Sequence, residues 1–75
     1  VNPALRVGQI WRFTRRSTWS TTCDVLITGV IGSTVAIRWR PFTILVWQAY
    51  HGVTPVTPEV FADDKAFCVY DPEGP

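Results

Sequence analysis

The stretch CDVLITGVIGSTVAIRWR, Cys23 to Arg40, decides the class of fold. It contains two runs rich in Val, Ile and Thr, and β-branched side chains suit a pleated, half-buried surface better than a helix. The runs meet around Gly32 and Ser33, which reads as a β-hairpin with a two-residue turn. With that turn, Val30 faces Val35, Thr28 faces Ile37 and Leu26 faces Trp39. Gly29 permits a second register, in which a bulge turns Val25 and Ile27 inward. In both registers Val35, Ile37 and Trp39 share one side of the returning strand, and Arg38 and Arg40 share the other, because strand side chains alternate.

Upstream, VGQIWRFTRR (Val7 to Arg16) alternates with period two. Val7, Gln9, Trp11 and Phe13 mark one side, and Gly8, Ile10, Arg12 and Thr14 the other, which predicts a first strand. STWSTT, residues 17–22, has the polar, hydroxyl-rich composition of a loop and carries Trp19. Downstream, Pro41 ends the returning strand, and a fourth strand is expected from Phe42 to Tyr50. That strand includes ILVW, in which Ile44 and Val46 point one way and Leu45 and Trp47 the other. Neither face is built for water, so the stretch predicts a covering partner. TPEVFADDK then supplies helix-start chemistry, with Thr57 as N-cap, Pro58 at the first helical position and Glu59 in the first turn. One or two turns there place Val60 and Phe61 against the sheet. AFCVYD closes the chain as a last strand, with Phe67 and Val69 on one side and Cys68 and Tyr70 on the other.

Four strands in meander, a short helical turn and a closing strand make an all-β fold, a small five-stranded SH3-like barrel, as a single domain over residues 1–75. Such a meander is expected to set the first strand beside the returning strand of the hairpin. The combination of Gly8-Gln9-Ile10-Trp11-Arg12, a Val-x-Ile-x-Trp returning strand and a terminal Phe after a short acidic turn resembles small SH3-like proteins of phages and phage-rich bacterial genomes. The resemblance implies a fold more than an activity.

Composition narrows the class further. A chain of 75 residues is short, and such domains bury only about 60% of the surface that they expose when unfolded. Charged residues make up 17%, below the roughly 25% typical of soluble domains, which again predicts a covered surface. Cys23 and Cys68 are too few for a disulfide scaffold and read as two buried thiols of a soluble cytoplasmic protein. The sequence shows no basic leader with an apolar core, and Pro41, Gly52, Pro55 and Pro58 interrupt its longest uncharged run, so no membrane span is expected.

No arrangement in the sequence predicts catalysis or a cofactor. His51 is the only histidine and stands beside Gly52, with no spacing of a zinc site around it. Asp63 and Asp64 near Glu59 lack the spacing of a calcium loop and read as solvated acids. Cys23 beside Asp24 has no base nearby in sequence. Gly29 and Gly32 punctuate a hairpin and do not lead into a helix as a phosphate loop does.

The charge distribution is the informative feature. Residues 1–40 carry Arg6, Arg12, Arg15, Arg16, Arg38 and Arg40 against Asp24, a net +5. Residues 41–75 carry Lys65 against Glu59, Asp63, Asp64, Asp71 and Glu73, a net −4. Arginine forks match carboxylate and phosphate geometry, which predicts a basic recognition face of Arg12, Arg15, Arg16, Trp19, Arg38 and Arg40. The competing reading is that these arginines decorate the solvent faces of strands or pair with the chain's own acidic half. Two functions follow. One is a non-catalytic interaction module that self-associates, or binds a host protein, through Leu45 and Trp47. The alternative is a nucleic-acid-binding module using the Arg/Trp face. The first is favoured because the net charge is only +1.

Overall fold

The computed structural model describes residues 3–14, 22–41, 44–52, 54–62 and 66–74. The long hairpin is its centre. Strand β2 (Cys23–Ile31) and strand β3 (Thr34–Pro41) pair antiparallel across Gly32, whose φ of +59° suits a residue without a Cβ. Of the two registers that the sequence permits, the bulged one is present. Val30 faces Val35 and Gly29 faces Ala36, the pairing then shifts, and Ile27 faces Ile37. The extra residue turns Val25 and Ile27 into the core beside Val35 and Ile37.

Strand β1 (Ile10–Phe13) lies between β2 and strand β5 (Ala66–Tyr70), and strand β4 (Gln48–Ala49) pairs with β3. The sheet order is β4-β3-β2-β1-β5, antiparallel throughout. A 3-10 turn, Pro58–Ala62, precedes β5. This is the expected all-β domain of five strands with a short helical turn before the last. The barrel is not closed, because β4 and β5 are the two edges and do not pair. The first strand joins the outgoing strand of the hairpin, β2, and not the returning one, since Trp11 faces Val25 and Phe13 faces Cys23.

The fourth strand is the largest departure from expectation. Among the described residues of that stretch only Gln48–Ala49 pairs, and Ile44, Leu45 and Val46 lie outside any strand; Phe42 and Thr43 lie outside the described residues. Pro41 has no N–H, and its carbonyl accepts from Ile44 N–H at 3.0 Å, so the chain leaves the sheet there. The first strand is also shorter than its alternating pattern. Gly8 adopts φ of +96°, which breaks the alternation and leaves Val7 exposed.

The core joins Trp11 and Phe13 of β1, Cys23, Val25 and Ile27 of β2, Val35 and Ile37 of β3, and Val56, Phe61 and Ala66. Phe61, carried in by the 3-10 turn, meets Trp11 and Phe13 edge-on at ring-centroid distances of 5.3 and 5.5 Å. Thr57 begins this turn as expected: its carbonyl accepts from Val60 N–H at 3.1 Å, and its side chain bonds Glu59, which lowers the Glu59 pKa.

Gln9 is fully buried and acts as a polar rivet. Its Oε1 accepts from Trp11 Nε1 at 3.0 Å and from the Arg6 backbone N–H at 3.1 Å, while its Nε2 donates to the Ala4 carbonyl at 2.8 Å. A buried amide satisfied in this way costs little and ties residues 4–6 to the sheet.

Candidate interaction face

The face of the sheet opposite the core gathers the arginines. Strand parity places Arg12, Arg38 and Arg40 on this side, and the pairing sets Arg12, Asp24 and Arg40 in one row across β1, β2 and β3. Asp24 is only 3% exposed. Its Oδ1 accepts from Arg12 Nε at 2.9 Å, and its Oδ2 accepts from Arg12 Nη2 and Arg40 Nη2, each at 3.4 Å. The hydrogen bond to Asp24 raises the Arg12 pKa, burial works against it, and the attraction between the charges adds to it. A carboxylate removed from water requires such partners, and two cations supply them here.

Arg40 also stacks on Trp47, with Cζ 4.3 Å from the ring centroid. Trp47 is thereby held against the sheet, while the three residues before it extend into solvent. Ile44 is 44%, Leu45 80% and Val46 65% exposed. The face thus combines an apolar segment, an aromatic ring under a guanidinium, and Arg38, which is exposed and makes no ion pair among the described residues. Arg6 lies elsewhere and pairs with Asp71 at 3.2 Å, one cation of the basic half neutralised by the acidic half.

Of the predicted site residues, Arg12, Arg38 and Arg40 share this face and Trp47 stacks on Arg40, while Leu45 lies two residues before Trp47 in the exposed segment. Arg15, Arg16 and Trp19 lie outside the described residues, as do Asp63, Asp64 and Lys65. Asp24 is the member that sequence reasoning missed. Its only signal was a lone acid amid six arginines, and the open register left its direction unassigned.

Both cysteines flank β1, Cys23 opposite Phe13 and Cys68 opposite Trp11. Their backbones are therefore separated by two strand spacings and an offset of two residues along the strand, more than roughly 9–10 Å and beyond the roughly 7 Å that a disulfide can bridge. Cys23 is buried, whereas Cys68 is half-buried and not fully enclosed as expected. Burial, with a contribution from the Asp24 charge, pushes the Cys23 thiol from 9.0 up to about 11. Burial also raises the Cys68 pKa, with hydrogen bonding from the Tyr70 backbone opposing it.

Because the folded chain holds the Cys23 proton more tightly than the unfolded one, the resulting stabilisation is complete below pH 9 and is lost as pH rises towards 11. Its size is on the order of 2 kcal/mol. Urea denaturation at about pH 7.5 and about pH 10.5 should show a drop in stability that Cys23→Ala diminishes. An equal drop in both proteins would show that other groups cause it.

Among the described residues there is no group of three or more His, Cys, Asp or Glu side chains that could hold a metal ion, and no helix long and apolar enough to cross a membrane. Comparisons with protein-family models, with curated proteins and with solved structures found no match to this chain.

Proposed function

We propose that this chain is a small non-catalytic protein-interaction module that docks through Ile44–Trp47 and the adjoining arginine face, with a second copy of itself as the first partner and a host protein as the other. The observation that carries this reading is the exposure of Ile44, Leu45 and Val46 immediately before a tryptophan fixed under Arg40. Contiguous exposed apolar side chains beside an anchored aromatic are the composition of an interface core, and arginine is enriched at such places. The resemblance to small SH3-like phage proteins makes an accessory or inhibitory role part of the proposal. A cytoplasmic location belongs to it too, supported by two cysteines too far apart to bridge.

Light scattering on wild type and Leu45→Lys tests the reading. Removing a leucine side chain from water contributes about 2 kcal/mol, so its loss from both copies should weaken a dimer on the order of 100-fold or more. A wild type that stays monomeric at about 100 μM, where micromolar association would be evident, overturns self-association and leaves a host protein as the partner.

The alternative, nucleic-acid binding, draws on the exposure of Arg38. Asp24 offsets part of the charge of Arg12 and Arg40, which favours the protein reading. Anisotropy of a labelled oligonucleotide decides between them: phosphate contacts give a log-log salt slope of about −0.9 per contact on a duplex. Arg38→Glu should reduce that slope only if the alternative holds.

A further inference from the structure

A second surface lies on the other side of the sheet. Trp39 shares its side of β3 with the core residues Val35 and Ile37, Gln48 faces Trp39 across the β3–β4 pair, and Tyr50 follows two residues on. β4 is an edge strand of the sheet. A cleft of about 400 Å³ occupies the place, lined among the described residues by Cys23, Trp39, Gln48, Tyr50 and His51, with Ala49 and Gly52.

We propose that this cleft is a binding site for an uncharged, planar aromatic small molecule with a hydrogen-bonding edge. Its volume falls in the range of small-molecule sites, roughly 300–1,000 Å³. Trp39 and Tyr50 supply aromatic surface, and flat rings recover more contact on such surfaces than flexible chains do. None of the described lining residues is Lys, Arg, Asp or Glu, so a charged ligand would lose hydration without gaining a counter-charge. The Gln48 amide can both donate and accept, and with the His51 imidazole it offers polar contacts to the edge of a ring.

The aromatic wall is held in place. Tyr50 Oη donates to the Thr54 carbonyl at 3.0 Å, and the Tyr50 ring lies against Gly52, where a Cβ would collide with it. Cys23 supplies a small, soft contact, and its raised pKa keeps that contact neutral at physiological pH. The site is independent of the interaction face, which occupies the opposite side of the sheet.

The test uses N-phenylnaphthylamine, an uncharged fluorescent aromatic probe, on the whole chain. Wild type should bind it with fluorescence enhancement, and the anionic relative anilinonaphthalene sulfonate should bind at least about tenfold more weakly. Gln48→Trp, which fills the cleft from an exposed edge position, should weaken probe binding by about tenfold or more with an unchanged circular dichroism spectrum. Leu45→Lys should bind as wild type does, which separates the cleft from the apolar segment on the other face. Absence of probe binding to wild type overturns the proposal. So does equal binding by Gln48→Trp, equal affinity for the anionic probe, or loss of binding in Leu45→Lys.

Discussion

Phe61→Ala is expected to lower the melting temperature by roughly 20 °C or more. Phe61 is the one residue of the 3-10 turn that is buried, and it packs edge-on against both Trp11 and Phe13. Truncating a buried Phe costs about 3–5 kcal/mol, the transfer of the ring plus the cavity that it leaves. A domain of this length has a total stability of only roughly 4–11 kcal/mol, so much of the native state's margin depends on this side chain. Thermal unfolding followed by tryptophan fluorescence gives the result directly. Phe61→Leu, which keeps most of the volume, should retain most of the stability. A shift of only a few degrees for Phe61→Ala would mean that the turn does not contribute to the core.

Arg40→Glu should destabilise the fold by about 3 kcal/mol, although Arg40 lies on the face away from the core. Outward-facing substitutions usually stay within about 0.5 kcal/mol, and the sequence alone places Arg38 and Arg40 together in that class. The structure separates them. Arg38 is exposed, whereas Arg40 donates to the buried Asp24 and stacks on Trp47. Reversing its charge sets two carboxylates side by side in a place poorly reached by water. Arg40→Met removes the charge without adding repulsion and should cost less, about 1 kcal/mol. In an Asp24→Asn background the penalty for Arg40→Glu should shrink, because the repelling charge is gone. A double-mutant cycle by urea denaturation reads this coupling. Zero coupling would show that the Arg12, Asp24 and Arg40 row is decoration. For the same reason, tests of binding are made with Arg38→Glu alone, which leaves the row intact.

The hairpin was legible because its alternation is local. Val35 and Ile37 must share a face whichever way the partner strand slides, and Trp39 with them. The register was not legible. Gly29 permitted a bulge without requiring one, and the choice depends on Val25 and Ile27 finding room against Trp11, Phe13 and Phe61. Alternation set Gln9 on the same side of the first strand as Trp11 and Phe13, but its purpose there comes from Ala4, Arg6 and Trp11, which the chain brings around it only on folding.

The stretch ILVW was the misleading one. Its composition suggested a strand covered on both faces, yet Ile44 N–H bonds back to the Pro41 carbonyl and, among the described residues that follow, only Gln48–Ala49 rejoins the sheet. Hydrophobic pattern reports which side chains avoid water, and it does not report whether the backbone has a partner strand within reach.

Alternation, turn residues and the helix-start triplet Thr57-Pro58-Glu59 were enough for an all-β chain of five strands with a short turn before the last, because each depends on neighbours within a few residues. Contacts between distant segments decided the rest. Asp24 acquired two arginines from two other strands, Trp47 came under Arg40, β4 and β5 stayed apart as the sheet's two edges, and a cleft formed beside Trp39, Gln48 and Tyr50. Those outcomes depend on how strands stack and where pairing stops, and the same sequence pattern is compatible with more than one arrangement until the core is packed.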